Sequence, residues 1–234
     1  MAPSPDSDAN TAAVDAAPPP ANDLAAIVAT LEEDIVFGRL HPRERLVEDE
    51  LIERFGAKRH VVREALATLD RMGLLERRKN IGALVRHFSA QEVAQLYALR
   101  ELLETEAARQ IPLPVPAEQL QALVAVQQQH DAAVDSQDPR RVFRANLLFH
   151  RALFALTGNA VLQQAITEYA RQTHPIRFAS LVSPEYRERA RAEHWQMVEA
   201  LQRADRATLV RLCAAHLPPS RDAYLAANQL RFGA

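Results

Sequence analysis

The sequence predicts a mainly α-helical protein: an N-terminal winged helix-turn-helix followed by an antiparallel bundle of about six or seven helices. Two observations carry this prediction. Two amphipathic helical patterns meet at a glycine turn and lead into a short basic hairpin. From Ser89 onward the chain shows only helical periodicity, and just six of its 234 residues are glycine. We expect a disordered tail over residues 1–21, a winged helix-turn-helix over 22–87 and a helical domain over 88–234.

The first 21 residues are rich in Ala, Pro, Ser and Asp and contain no Lys or Arg. We expect them to be disordered, because such a segment cannot offset its chain entropy by burial. They lack the basic start and apolar middle of a secretory signal, and no apolar run approaches the length of a membrane span. The single cysteine, Cys213, excludes an internal disulfide. These features predict a cytoplasmic protein without a membrane partner.

The winged domain is predicted to begin with a helix that Asn22 or Asp23 caps and Gly38 ends. A second helix carries the apolar stripe from 47 to 55, and Gly56 ends it because glycine accepts a left-handed backbone. The third helix runs from about residue 58 to 72. Its first turn and outer face carry basic side chains, which in a helix-turn-helix would face the major groove. These are Lys58, Arg59, His60 and Arg63.

A short two-stranded wing is predicted over residues 76–87, with its turn at 80–82. Eight Lys or Arg and three Asp or Glu lie between Lys58 and His87, although the whole chain has a formal net charge of −2. Positive charge is therefore concentrated where a phosphate-binding surface requires it. The alternative is a solvated basic face without a nucleic-acid partner.

The run of residues 59–66, with the Gly73-Leu74 pair and the segment 82–85, resembles the winged helix-turn-helix of the GntR family of bacterial transcription regulators. The resemblance implies that Arg59 and Arg63 contact DNA from the recognition helix. Lys58 and His60 beside them, and Lys79 in the wing, complete the predicted DNA-binding residues. Lys58 stands where the family usually has Ser or Thr, and a lysine cannot accept the capping hydrogen bond of a hydroxyl.

Caps and helix breakers divide the bundle. A capping box of Ser89 and Glu92 begins its first helix, which would run to about Gln110. Later boundaries are marked by prolines, by Asp and Ser caps and by a Gly-Asn pair. They fall near residues 112–116, 136–139, 158–159, 175, 183–184, 205 and 218–219.

Three histidines, one in each of three bundle helices, lie on apolar stripes. His150 shares its face with Asn146 four residues earlier, and His194 and His216 lie on the stripes of later helices. We expect the three rings to point into the bundle, where a shared metal ion would satisfy one nitrogen of each. Taken singly, such a histidine is more often a core residue hydrogen-bonded to a neighbour. His130 also falls near a stripe and stays unassigned.

Short motifs along residues 89–230 are similar to the FCD effector-binding domain of the FadR-like branch of GntR regulators. The resemblance implies a dimerising bundle that binds a small carboxylate, in many members through Zn²⁺, Ni²⁺ or Mn²⁺. By that resemblance His150, His194 and His216 are metal ligands, with Zn²⁺ the first choice. Asn146 stands where the family normally supplies Asp. A neutral ligand there would leave the ion more positive, weakening metal binding but strengthening its attraction for an anionic effector.

Arg100 projects from the apolar face of the first bundle helix and is predicted to be a second anchor for a carboxylate. The alternative is a local pair with Glu104. We therefore expect a homodimeric regulator whose affinity for a DNA operator is controlled by a small organic acid. A metal-dependent enzyme or a metal sensor could use the same three histidines, and a metal-free bundle is the remaining alternative. Glu193 is the one candidate general base, but it adjoins His194 and should point away from it.

Overall fold

A computed structural model of the protein describes residues 23–78 and 81–232. The predicted tail over 1–21 and the predicted DNA contact Lys79 lie outside the described residues. The fold is mainly helical, as predicted, with a small sheet confined to the N-terminal part. None of the helices in the described ranges is both long and apolar enough to cross a membrane.

The N-terminal part, which we call the head, contains three helices and a three-stranded antiparallel sheet. The helices are α1 (Leu24–Val36), α2 (Glu48–Phe55) and α3 (Arg59–Arg71). The strands are β1 (Arg45–Leu46), β2 (Leu75–Arg78) and β3 (Gly82–Val85), in the order β1-β3-β2. The wing therefore has one strand more than predicted, because the segment before α2, expected to be a loop, pairs its last two residues with β3.

Local chemistry sets the ends of the head helices. The Asp23 side chain accepts a hydrogen bond from the backbone nitrogen of Ala26 and so caps α1. Gly56 ends α2 with a backbone φ of 57°, which costs little without a Cβ. Lys58 precedes α3 without a side-chain capping hydrogen bond, as its chemistry requires. A core that includes Leu31 and Val62, both fully buried, holds the helices together.

The C-terminal part, which we call the bundle, has seven long helices among its described residues, where the caps and breakers predicted about six or seven. The capping box of Ser89 and Glu92 is present. The first four are α4 (Ala90–Gln110), α5 (Ala117–Asp135), α6 (Pro139–Ala155) and α7 (Ala160–Gln172). A 3₁₀ turn (His174–Arg177) and the five-residue α8 (Phe178–Val182) follow. The last three are α9 (Pro184–Gln202), α10 (Arg206–His216) and α11 (Pro218–Phe232). Pro218 starts α11 because a proline in the first turn needs no backbone N–H.

Helix α1 packs on both parts of the chain. It contacts α3 within the head, while Val36 and Phe37 at its end pack among Val142 and Phe143 of α6. Two polar contacts accompany this apolar one. Arg144 Nη2 lies 2.5 Å from Glu33 Oε1. Nδ1 of the buried His174 lies 2.8 Å from Glu32 Oε1. The head is therefore joined to α6 by burial and an ion pair, and to the 3₁₀ turn by the hydrogen bond of His174.

Candidate metal centre and nucleic-acid interface

The recognition surface is the outer face of α3. The four side chains predicted there, Lys58, Arg59, His60 and Arg63, are all exposed. Val62, Leu66 and Leu69 on the opposite face are buried in the head core, so helical periodicity separates the two faces. Arg77 and Arg78 of β2 line the same cleft as Arg59 and Arg63, which places further positive charge beside the helix.

Acidic residues of α2 hold the two arginines predicted to contact DNA. Arg63 donates through Nε to Glu48 Oε2 at 2.9 Å. Arg59 donates through Nη2 to Asp49 Oδ1 at 2.6 Å. In the sequence these acids are explained by the N-terminal dipole of α2, which gives no hint of a second role. The pairs join different helices, so spacing along one helix could not reveal them.

The structure brings His150, His194 and His216 together from α6, α9 and α10. Each ring offers one nitrogen, and the three nitrogens all lie within 4.8 Å of one another. The ring centroids are separated by 5.1 Å for His150 and His194, 4.9 Å for His150 and His216 and 5.0 Å for His194 and His216. Imidazoles from three separate helices are a donor set that suits a divalent transition metal.

Hydrogen bonds orient two of the three rings. His194 Nδ1 donates to the Gln127 amide oxygen at 3.0 Å, and His216 Nδ1 donates to Glu193 Oε2 at 2.6 Å. Glu193 therefore faces the histidine cluster through His216, although the sequence suggested that it points away from His194. A bond of this kind fixes the tautomer of the neutral His194 and leaves its Nε2 with a free lone pair.

Several buried nitrogens of the cluster have no hydrogen-bond partner in the described part of the chain. They are His194 Nε2 and both ring nitrogens of His150. Unpaired buried polar atoms are costly, and a metal ion is the kind of group that would satisfy them. Burial also holds the pKa of His150 and His194 well below the usual range, so both rings are neutral, as metal ligands must be. The residues present thus fit a metal ion.

Asn146 and His130 extend the cluster on one side. Asn146 is buried on α6, one turn before His150, and lines a cavity of about 60 Å³ together with His130 and His216. The His130 ring centroid lies 4.7 Å from that of His194, and neither nitrogen of His130 has a partner among the described residues. Burial lowers the pKa of His130 to about 4. The stripe pattern indicated that His130 lies inward but not that it joins the cluster.

Two arginines that sequence reasoning did not single out, Arg177 and Arg187, line the same cavity. Both are buried, and neither forms an ion pair with a described residue. Arg177 lies in the 3₁₀ turn, where the helical pattern breaks, so no stripe marks it. Arg187 lies seven residues before His194 on α9, and extending that stripe by two turns would have identified it.

Arg100 is buried against Glu104 on its own helix, the alternative considered from the sequence. Its Nη2 lies 2.7 Å from Glu104 Oε1, and its Nη1 donates to Thr173 Oγ1 at 3.0 Å. It does not belong to the residues that line the cavity beside the histidines. Its predicted role as an effector anchor therefore stays a prediction.

Comparison with known proteins agrees with both halves of the chain. The profile of bacterial regulatory proteins of the gntR family matches residues 24–85, and that of the FCD domain matches residues 95–218. The HTH-type transcriptional regulator BphR of Paraburkholderia xenovorans (strain LB400) is 34% identical over 164 residues, covering 65% of this chain and 66% of BphR. The HTH-type transcriptional repressor RspR of Escherichia coli (strain K12) is 26% identical over 193 residues, covering 82% and 84% of the two chains.

A solved structure shows the same fold. Escherichia coli McbR/YncC superimposes with a TM-score of 0.75 at 19% sequence identity, covering 88% of this chain and 98% of that one. The relatives named here are transcription regulators and not enzymes. The head matches the gntR profile, and the FCD match in the bundle alone spans more than half of the sequence. The chain therefore belongs to the GntR family of DNA-binding bacterial transcription regulators and carries an FCD domain.

Proposed function

We propose that this regulator binds its DNA operator with an affinity controlled by a small organic acid, and that the acid binds at a divalent metal ion in the bundle. The observation that carries the proposal is the cluster of three inward-facing histidines, of which burial keeps His150 and His194 neutral. It offers three ring nitrogens within 4.8 Å of one another, and no hydrogen bond from the described residues reaches His194 Nε2 or either nitrogen of His150. Such an arrangement is costly unless a ligand completes it.

The metal would be held by His150, His194 and His216, with Asn146 as a neutral fourth ligand. Imidazole donors favour Zn²⁺, and Ni²⁺ or Mn²⁺ could occupy the same set. When bound, the ion would act as a Lewis acid that anchors a carboxylate. Because every protein ligand in this set is neutral, the site would keep the full positive charge of the ion and attract an anion strongly.

The effector would occupy the cavity beside Asn146 and His216. Arg177 and Arg187 face that cavity without an ion-pair partner among the described residues, which supports an anion rather than the metal alone as the signal. Arg100, the anchor expected from the sequence, would first have to exchange its pair with Glu104 for the ligand. We therefore regard Arg100 as an outer contact to be tested separately.

We propose that the protein acts in the cytoplasm as a homodimer. Each head would engage one half of a pseudo-palindromic operator. Lys58, Arg59, His60 and Arg63 would contact DNA from α3, and Lys79 from the wing. The spacing of half-sites is fixed, so a small change in the relative placement of the heads would lower affinity while each head stays folded. RspR is named a repressor, which supports release of DNA on effector binding as the direction of control.

Elemental analysis tests the metal. We would purify the protein without a chelator or a metal-affinity tag and compare wild type with His194→Ala and with His41→Ala, which changes an exposed histidine of the head. About one divalent ion per chain is expected in wild type and His41→Ala and none in His194→Ala, since one of three imidazole ligands is lost. Wild type that contains no metal would contradict the metal site.

Fluorescence anisotropy on an operator duplex, selected from a random library with the purified protein, tests the control. Organic acids that release DNA from wild type but not from His194→Ala would support the whole proposal. Acids that leave DNA bound to both proteins would contradict the effector part and leave DNA binding untouched.

A further inference from the structure

We infer that the effector is a compact carboxylic acid with at least two negative charges, and that Arg177 and Arg187 hold the carboxylate that the histidine cluster does not. The inference rests on the proposed function, because it specifies the ligand of the same cavity. It goes beyond that function in excluding simple monocarboxylates as the signal.

The first observation is Arg177. Its side chain comes from the 3₁₀ turn, is 8% exposed and lines the cavity. No carboxylate of the described residues lies within ion-pair distance of it. The acid that influences it, Glu104, is already bonded to Arg100. Burial lowers the pKa of Arg177 to about 10, so the group is still a cation at neutral pH. A buried cation without a counter-charge calls for an anion.

The second observation is Arg187, which reaches the same cavity from α9. It is 9% exposed, and its Nη1 donates to the backbone oxygen of Leu181 at 3.1 Å. That contact positions the guanidinium group without neutralising it, because a carbonyl carries no net charge. The cavity thus contains two buried arginines, and neither has a carboxylate partner in the described part of the chain. A ligand would need two negative charges to neutralise both.

Glu193 and Arg189, which also line the cavity, neutralise each other's charge. Glu193 lies 2.7 Å from Arg189 through Oε1 and accepts from His216 through Oε2 at 2.6 Å. Each of its oxygens already has a charged or polar partner, and among the described residues no ion pair joins Glu193 to Arg177 or Arg187. The positive charge of those two residues remains for a ligand to neutralise.

Size and geometry complete the description of the ligand. A cavity of about 60 Å³ admits a small molecule rather than a long acyl chain. Planar guanidinium groups match carboxylates through paired N–H donors. One carboxylate would lie at the histidine cluster and a second between Arg177 and Arg187, while the Asn146 amide could bond a hydroxyl or carbonyl between them. Short di- or tricarboxylates fit this description.

A matched series of acids tests the inference. We would measure calorimetric binding of succinate, malate and tricarballylate against butyrate, the monocarboxylate with the carbon number of succinate, at constant ionic strength. Metal content is determined in the same samples. At least one polycarboxylate is expected to bind wild type about tenfold or more tightly than butyrate, because only it can also neutralise the arginines.

Substitutions then assign the effect. Arg177→Gln and Arg187→Gln should each weaken that polycarboxylate about tenfold and change butyrate by less than about threefold. Arg203→Gln is the control, since Arg203 is an exposed residue just after the end of α9, paired with Glu199. If one cavity variant fails to fold, the other variant and the wild-type acid series still test whether the arginines hold a second carboxylate.

Equal affinity for butyrate and the polycarboxylates, or no polycarboxylate binding, would overturn the inference. Tighter binding of inorganic phosphate than of any polycarboxylate would overturn the carboxylate assignment. Wild type without metal would contradict the proposed metal site instead, and the acid series would still test the two arginines.

Discussion

Single contacts set how the recognition surface presents its arginines. Arg63 is held by Glu48 through Nε, which leaves both terminal nitrogens available for the paired contact that arginine makes with a guanine edge. Both terminal nitrogens of Arg59 are engaged, Nη2 by Asp49 at 2.6 Å and Nη1 more weakly by Glu48 at 3.5 Å, so Arg59 must leave these contacts to bind a guanine edge in the same way. The acids of α2 therefore leave the terminal nitrogens of Arg63 free but engage those of Arg59.

This difference predicts a phenotype for Glu48→Gln. Without the carboxylate, Arg63 is free to contact any phosphate, so binding to a random-sequence duplex should tighten. The slope of log affinity against log salt should steepen by about 0.9, equivalent to one more phosphate contact. Discrimination of a selected operator against the random duplex should fall. Anisotropy titrations at several salt concentrations measure all three.

Glu50→Gln is the matched control, because it removes the same charge from the first turn of α2 at an exposed position. If both variants change salt dependence and discrimination equally, net charge alone explains the effect and Glu48 does not position Arg63.

At the residue scale the sequence was a good guide to periodic features and a poor one to contacts between elements. His150, His194 and His216 could be found because each continues an apolar stripe, and a stripe decides which way a side chain points. Arg177 lies outside any stripe. The ties from Gln127 to His194 and from Glu48 to Arg63 depend on how helices dock, which no local pattern specifies.

Among the elements, the 3₁₀ turn, like α6, touches both the cavity and the head. Arg177 at its end lines the cavity, and His174 at its start bonds to Glu32 of α1. Thr173, just before it, accepts from Arg100. The sequence predicted a break at Pro175 but not these contacts. A ligand that moves Arg177 would act on the same four-residue turn that holds α1.

The buried His174 predicts that acid destabilises the protein. Burial lowers its pKa from 6.5, more than the bond to Glu32 raises it. The unfolded chain therefore takes up a proton more readily than the native one, and stability falls as pH drops below about 6.5. His174→Gln keeps an N–H donor for Glu32 but does not titrate.

Thermal denaturation near pH 7.5 and near pH 5.5 measures this contribution. Between the two values the Tm of wild type should fall about 3 °C further than that of His174→Gln, corresponding to about 1 kcal/mol for a chain of this size. Parallel curves for the two proteins would mean that His174 is not responsible. The buried histidines of the cluster titrate in both proteins and cancel in the comparison.

At the scale of the whole molecule, we expect a dimer formed through α4 and α7. These helices pack together and carry Leu102 and Val161, which are 65% and 79% exposed and are the most exposed large apolar side chains of the described residues. We expect a partner subunit to cover these two side chains, because burying them would remove large apolar groups from water.

Light scattering after gel filtration tests the dimer. Wild type should have twice the chain mass of 26.1 kDa, and Leu102→Glu combined with Val161→Glu should have the chain mass, because two charges would be buried without partners. Operator affinity should fall with the dimer, since the half-sites are no longer bound together. Val182→Glu, at an exposed position on α8, is the control. A monomeric wild type would contradict the expectation.

The fold class could be predicted because composition and periodicity change sharply near Ser89, where basic hairpin gives way to continuous helix. How the two parts dock could not. The stripe of α1 predicts one buried face, yet its last turn packs on the bundle through Val36, and Phe37 meets Phe143 edge to face at a centroid distance of 6.0 Å. Only the assembled chain distinguishes the two neighbours of one helix.

That shared helix bears on how chains of this kind can recombine. A head moved at residue 87 onto a foreign bundle would carry Val36, Phe37 and the acids Glu32 and Glu33 to a surface that lacks their partners. Exposed apolar side chains would make most such chimaeras prone to aggregation. Unmatched carboxylates would leave the head poorly coupled to the bundle. Helix α1 and its docking surface on α6 and the 3₁₀ turn therefore form one structural unit. Functional hybrids should be those that transfer the helix together with this surface.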